Sequence, residues 1–110
     1  MTTTKKVNVN KFTLFPGGRF IRHGDGSAEA FFNNHIKPVL DELGEDEQLH
    51  IDGSGTWGYG PSFTSQLGIY LKEYFGSKDL VSKKIIFTAP ANPEAIDRFW
   101  RQLEKDDPNA

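Results

Sequence analysis

Residues 48–76 constrain the fold of this chain more than any other segment. They read QLHIDGSGTWGYGPSFTSQLGIYLKEYFG, in which a short apolar strand leads into a glycine-rich turn and then into an amphipathic helix. A strand that leads directly into a helix packs well in an α/β layer structure, where right-handed crossovers make strands parallel. The segment therefore predicts an α/β fold with at least some parallel strands.

Periodicity and turn residues predict two further strands before this segment. Val7 and Val9 alternate with asparagines, as in a half-buried strand. Residues 16–18, Pro-Gly-Gly, favour a type II turn into a second strand at residues 19–22. We therefore expect these two strands to form a hairpin.

Helix signals account for most of the remaining chain. Ser27 is a candidate N-cap for a helix that should kink at Pro38 or end soon after it. Residues 83–88, KKIIFT, predict an inner strand buried on both faces. Asn92 followed by Pro93 predicts the start of the last helix. The predicted order is β-β-α-β-α-β-α, in a single domain over residues 7–105 with flexible termini at residues 1–6 and 106–110.

Composition excludes several classes of function. A net charge of −2 argues against a nucleic-acid-binding protein, which would concentrate Lys and Arg on one face. The chain has no cysteine, which excludes a disulfide framework and a Cys-based zinc site. It contains neither an apolar signal region nor a run of about 18 apolar residues. We expect a cytoplasmic protein without a membrane partner.

The glycine-rich turn matches the dinucleotide-binding pattern G-x-G-x-x-G through Gly53, Gly55 and Gly58. In that pattern the helix begins within the glycine run, so that its amides contact the pyrophosphate. Here Gly60 and Pro61 follow, which delays the helix to about Ser62. A sharp turn is therefore the favoured interpretation, and binding of a nucleotide or another anion is the alternative. A small basic group offers a second anion site, although solvated charge at a strand edge is the simpler interpretation: Arg19, Arg22 and His23.

Ser62 stands at the predicted start of the helix and has two interpretations. As an N-cap, its hydroxyl would accept a hydrogen bond from an early helix amide. As a phospho-acceptor, it would carry roughly −1.5 to −2 charges beside the positive end of the helix. The two roles are compatible with each other.

Aromatic residues in the glycine-rich turn are unusual for a simple connection. Trp57 either folds back over the end of the core or stands exposed together with Tyr59 as an interface anchor, a role in which Trp and Tyr are enriched. The predicted interaction surface comprises Trp57, Tyr59, Pro61 and Phe63.

No combination of residues predicts catalysis. His23, His35 and His50 lie on different predicted elements, without an H-E-x-x-H motif. Asp52 could orient a serine nucleophile only if a histidine joined them, and no G-x-S-x-G motif is present. The sequence predicts a non-enzymatic protein without a metal or cofactor.

Short motifs along the chain resemble the STAS-like domain of unknown function, a family of bacterial and phage proteins related to the STAS domains of anti-sigma factor antagonists. The likeness spans residues 7–103. Its most specific part is Gly-Tyr-Gly-Pro-Ser-Phe at residues 58–63. The other parts are residues 16–20, the helix at residues 30–43 with its late proline, Ile-Asp-Gly at residues 51–53 and Leu-Gly at residues 67–68.

The resemblance implies a four-stranded mixed sheet with helices packed mainly on one face. In anti-sigma factor antagonists, a partner kinase phosphorylates a serine at the start of the helix after the third strand, within Asp-Ser-(Ser or Thr)-Gly. This chain has Gly60-Pro61-Ser62-Phe63 in that place, so Ser62 is the candidate. The implied partner is a histidine-kinase-like ATPase.

The leading hypothesis is a regulatory protein–protein interaction module, switched by phosphorylation of Ser62. The alternative is a small-ligand module that binds a nucleotide or another anion at the glycine-rich turn.

Overall fold

The computed structural model describes residues 3–104 and contains a three-stranded parallel sheet in the order β1-β2-β3. The predicted α/β class is confirmed, whereas the predicted four-stranded mixed sheet is wrong, because both strand pairs in the described part of the chain are parallel. The strands are β1 (Thr3–Asn8), β2 (Glu47–Asp52) and β3 (Ile85–Thr88). The helices are α1 (Val9–Phe12), α2 (Ala28–Phe31), α3 (Lys37–Asp41), α4 (Pro61–Phe75), α5 (Lys78–Lys84) and α6 (Pro93–Leu103).

The predicted strand at residues 19–22, and with it the predicted hairpin, is wrong. That region contains a single 3-10 turn, Ile21–His23, and β1 pairs instead with β2. The Pro-Gly-Gly segment does not reverse the chain toward β1. Its backbone bonds to more distant segments: the Gly17 amide donates to the Gly26 carbonyl, and the Pro16 carbonyl accepts from Gly60. Bonds between loops therefore replace the expected strand ladder.

β1 begins earlier than its alternating pattern indicates. Thr3 pairs with Glu47, and its amide donates to the Asp46 carbonyl at 3.2 Å. Backbone pairing with β2 thus includes residues 3–6, which the sequence analysis had assigned to a flexible terminus. Residues 1–2 and 106–110 of the expected termini lie outside the described residues.

Sequential strand order places the helical layer on one side of the sheet. Parallel crossovers are almost always right-handed, so two successive crossovers in the same direction leave their helices on the same face. Burial agrees, because one face carries the buried core residues Leu49, Ile51, Ile85 and Phe87. The opposite face carries the cross-strand row Lys6, His50 and Ile86, which is more exposed.

The predicted strand at residues 83–88 is shorter and less buried than expected. β3 is an edge strand with β2 as its neighbour, and Ile86 is 37% exposed, so burial on both faces is wrong. Lys83 and Lys84 instead end α5, a helix that the periodicity did not predict. A local signal for it exists: the Ser77 hydroxyl accepts a hydrogen bond from the Leu80 amide at 3.3 Å, as an N-cap does.

The helix after Ser27 follows its sequence signals. The Ser27 hydroxyl accepts from the Ala30 amide at 3.2 Å, which confirms the predicted N-cap. Before Pro38 the helix widens into a π-helical segment, Phe32–Ile36, and it ends at Asp41. Proline lacks an N–H and crowds the carbonyl of the preceding turn, which explains the widening before Pro38. The predicted ending soon after Pro38 is confirmed by the end of α3 at Asp41.

α4 and α6 form most of the helical layer. α4 ends at Phe75 and is followed by Gly76, whose φ of 91° makes it the left-handed cap that the sequence predicted. α6 packs against α4 where Gly68 has no side chain, since a Cβ there would lie 3.2 Å from the Phe99 carbonyl oxygen. Asn92 does precede α6 as predicted, but its side chain makes no capping bond to the helix amides.

Candidate functional site

Two loops meet at the carboxyl edge of the sheet. We call residues 13–20 the first loop and residues 53–60 the glycine loop. The Trp57 amide donates to the Leu14 carbonyl at 2.8 Å, and the Gly60 amide donates to the Pro16 carbonyl at 2.9 Å. Pro16 itself is buried. These bonds fix the two loops side by side, at the edge where parallel α/β sheets commonly place their functional residues.

An exposed aromatic patch lies on these paired loops and consists of Leu14, Phe15 and Trp57. The Trp57 side chain is 69% exposed, and those of Phe15 and Leu14 are 62% and 42% exposed. The two rings contact each other edge to face, with centroids 4.2 Å apart. Trp57 therefore does not fold back over the core. Adjacent exposed apolar side chains are typical of a surface that contacts another molecule.

Tyr59 anchors the glycine loop. Its hydroxyl donates to the Gly53 carbonyl at 2.7 Å, and its ring lies against Phe63 and Phe87. Burial raises the pKa of Tyr59 to about 12, so the hydroxyl keeps its proton and remains a donor at physiological pH. Of the two aromatic residues predicted as interface anchors, only Trp57 is largely exposed.

The start of α4 differs by one residue from the prediction. α4 begins at Pro61, Gly60 is its N-cap residue, and Ser62 is the second helical residue. The N-cap interpretation of Ser62 is wrong, because proline at the first helical position moves the start forward. Pro61 is exposed and Ser62 half-buried. Phe63 is completely buried, so its predicted place on the interaction surface is also wrong.

Four backbone amides of the glycine loop donate hydrogen bonds within the protein: Gly53, Ser54, Trp57 and Gly60. The Gly53 amide donates to the Thr88 carbonyl at 2.6 Å, and the Ser54 amide donates to the Asp52 carboxylate at 3.0 Å. Gly55 and Gly58 have φ values of 77° and 143°, which glycine adopts readily. The three glycines predicted as an anion site thus form a turn in which the Gly53 amide is already hydrogen-bonded and the nearby Asp52 carboxylate would repel an anion.

Asp52 is the centre of a polar cluster beside this turn. Its carboxylate accepts from the Ser54 hydroxyl at 2.6 Å and lies 3.1 Å from the Lys6 ammonium group. The two hydrogen bonds from Ser54, with the Lys6 charge, lower the pKa of Asp52 from 3.8 to about 2. Asp52 is therefore a fixed negative charge at neutral pH.

The histidine that a catalytic triad would need is engaged elsewhere. His50 Nε2 lies 2.7 Å from the Thr88 hydroxyl, across the strand pair, rather than on Asp52 or Ser54. Within residues 3–104, no group of three or more His, Asp or Glu side chains is placed to hold a metal ion. The cluster stabilises the end of β2 and forms no nucleophile–base–acid arrangement.

The sequence analysis missed two members of the aromatic patch, Leu14 and Phe15. The sequence does contain a signal for an exposed apolar patch. Two large apolar residues directly precede the Pro-Gly-Gly segment, and side chains in such a loop are rarely buried in the core. It also missed that Arg19 reaches α4, where its guanidinium donates to Gln66 at 3.1 Å. No local pattern predicts a contact between residues 47 positions apart in the chain.

Comparison with known proteins identifies no relative. No protein-family model matches the chain, and neither a curated protein nor a solved structure matches it. Within residues 3–104, no helix has the length and apolar character needed to cross a bilayer.

Proposed function

We propose that this protein is a non-enzymatic regulatory module of the STAS-like type that binds a partner protein through the aromatic patch. The observation that carries the proposal is the exposed Phe15–Trp57 ring pair, held on two loops that are hydrogen-bonded to each other. The resemblance of the short motifs to the STAS-like family suggests the class of partner, a histidine-kinase-like ATPase.

The energetics of interfaces favour this use of the patch. Trp and large apolar residues at the centre of an interface contribute most of the binding free energy. Docking is stronger when the anchors are already fixed, because less conformational entropy is lost on binding. Here the Trp57 and Gly60 amides and the Tyr59 hydroxyl all hold the glycine loop in place.

Ser62 is the proposed switch. It lies two residues after Gly60, whose amide contacts the loop that carries Phe15. In the proposed reaction, the Ser62 hydroxyl oxygen attacks the γ-phosphorus of ATP bound to the partner, ADP leaves, and the hydroxyl proton passes to a base of the partner or to water. The product carries roughly −1.5 to −2 charges near the patch, which would oppose an apolar or acidic partner surface.

Binding is tested with candidate histidine-kinase-like ATPases from the same genome, beginning with any that is encoded beside this protein. We expect Trp57→Ala to weaken binding about 30-fold or more and Leu14→Ala to weaken it about fivefold, as measured by calorimetry. Leu80→Ala is the matched control, since Leu80 and Leu14 are 43% and 42% exposed but Leu80 lies on α5. Equal effects of the two leucine variants, or no binding by the unmodified protein, would contradict the proposal.

Phosphorylation is tested by incubating the complex with ATP and mapping the phosphate by mass spectrometry. We expect modification of Ser62 and none in Ser62→Ala. A complex that forms but leaves Ser62 unmodified would refute the switch and leave the binding surface in place.

A further inference from the structure

Arg19 connects the first loop to helix α4. Its Nη1 atom donates to the Gln66 side-chain oxygen at 3.1 Å, and Gln66 is only 7% exposed. Among residues 3–104, Arg19 forms no ion pair with a carboxylate. The nearby Glu29 carboxylate instead accepts from the Ile21 amide at 2.8 Å. Arg19 is thus a partly buried cation whose side chain bonds to a neutral amide.

The hydrogen bond to Gln66 places the Arg19 guanidinium about one helical turn from Ser62. Gly17, two residues before Arg19, touches the helix start, since a Cβ on Gly60 would lie 3.3 Å from the Gly17 Cα. Gln66 lies six residues further along the helix, or about 9 Å. The first turn of α4 lies between these two contacts. Ser62 lies on that turn, four residues before Gln66 and therefore on the same side of the helix.

We propose that Arg19 is the residue that binds the phosphate of phosphorylated Ser62, exchanging its hydrogen bond with Gln66 for an ion pair. The inference rests on the proposed phosphorylation of Ser62. A guanidinium binds two phosphate oxygens at once, and such charge-assisted bonds are roughly twice as strong as bonds between neutral groups. The exchange breaks and forms hydrogen bonds only.

The location of Arg19 connects this exchange to the docking surface. Arg19 belongs to the same loop as Phe15, and this loop is bonded to the glycine loop that carries Trp57. An ion pair between Arg19 and the phosphate would connect the first loop directly to the first turn of α4. The phosphorylation state of Ser62 is thereby transmitted to the aromatic patch through one side chain.

The test uses protein in which phosphoserine is incorporated at position 62 during translation, so that no kinase is required. The second ionisation of the phosphate is followed by ³¹P NMR. We expect Arg19→Gln to raise the pKa of this phosphate by about half a unit or more, because a bound cation stabilises the dianion. Glutamine removes the charge of Arg19 and leaves a polar, uncharged side chain in its place.

Arg22→Gln is the matched control, because Arg22 carries the same charge in the same region but lies over the Phe20 ring and next to His23. Its effect on the pKa of the phosphate should be less than half that of Arg19→Gln. Equal shifts in the two variants, or no shift in either, overturn the proposal. Arg19→Lys adds a second check: a single ammonium should restore only part of the lowered pKa.

The two proposals fail in different ways. A shift confined to Arg19→Gln with no modification of Ser62 by an ATPase would refute the phosphorylation and retain the phosphate contact. Modification of Ser62 without such a shift would refute the role of Arg19 alone.

Discussion

Replacing Asp52 with asparagine tests whether the polar cluster at the end of β2 stabilises the fold. The pKa of Asp52 is lowered from 3.8 to about 2, chiefly by the two hydrogen bonds from Ser54. At 1.36 kcal/mol per pKa unit, the full shift corresponds to about 2.4 kcal/mol. The Asp52 side chain is 18% exposed, and solvent screens part of this interaction. We therefore expect Asp52→Asn to lower the free energy of unfolding at pH 7 by about 1–2 kcal/mol.

The sign of the pH dependence follows from the direction of the pKa shift. Because the carboxylate is favoured in the folded state, its stabilisation is fully present above the unfolded pKa of 3.8. It is lost as the pH falls through about 2, the folded value. We expect urea unfolding of the wild type and Asp52→Asn to show that their difference in free energy of unfolding decreases as the pH falls. Most of this decrease should occur between about pH 5 and pH 2.

A matched control separates this effect from general acid destabilisation. Asp97 pairs with Arg101 at 2.6 Å within α6, but its side chain is 59% exposed, so Asp97→Asn should change stability by less than about 0.5 kcal/mol. If the difference in free energy of unfolding between the wild type and Asp52→Asn stays constant from pH 7 to pH 2, the assigned role of the Asp52 carboxylate is wrong. An equal effect of the two substitutions at pH 7 would also contradict this role.

Two further substitutions test the packing around the candidate site. Phe63→Ala should destabilise the protein by about 3–5 kcal/mol, because Phe63 is fully buried. Trp57→Ala should cost less than about 2 kcal/mol, because Trp57 is largely exposed. Similar midpoints of the two variants in urea unfolding would contradict this contrast. Gly53→Ala should cost about 1–3 kcal/mol, since its Cβ would lie 2.8 Å from the Thr88 carbonyl oxygen, which the backbone fixes. Gly44→Ala is the control, because its Cβ would approach the flexible Glu47 side chain at 3.2 Å; equal thermal midpoints for the two alanine variants would refute the steric argument.

The parts of the fold that local sequence determines were predicted well. β2, α4 and α6 each have nearby signals: an apolar run, a proline at the first helical position, and in α4 a glycine at the end. The cap at Ser27 is equally local, since its hydroxyl bonds an amide three residues away. Such signals act within one turn of a helix, so the sequence places these elements to within a residue or two, although it shifted the start of α4 by one residue.

The parts that depend on distant contacts were predicted poorly. β1 pairs with a strand more than forty positions away, and nothing in its own residues distinguishes that partner from a hairpin partner nearby. The Pro-Gly-Gly segment has the composition of a tight turn, yet its amides and carbonyls bond to Gly26 and Gly60. Loop residues with free backbone groups accept whichever partners the rest of the fold brings to them.

The candidate site combines both situations. The glycine-rich turn and the aromatic character of Trp57 are visible in the sequence, and the structure places this ring in solvent. Phe63 has the same apolar character, but its position on α4 directs it into the core against Phe31. Which aromatic side chain is buried depends on the direction it takes from the helix or loop, and composition carries no information about that direction.

The two edges of the sheet differ in their risk of self-association. β1 carries Lys5 and Lys6, and charged side chains of this kind discourage edge-to-edge pairing with another molecule. β3 consists of Ile-Ile-Phe-Thr and has no charge of its own. Lys83 and Lys84 lie immediately before it, and we expect them to act as gatekeeper charges that oppose aggregation through an exposed β3. Replacing Lys83 with a neutral residue should therefore shorten the lag time of aggregation. Lys84 also donates to the Gly44 and Glu47 carbonyls in the folded protein, so its replacement would in addition loosen the turn that leads into β2.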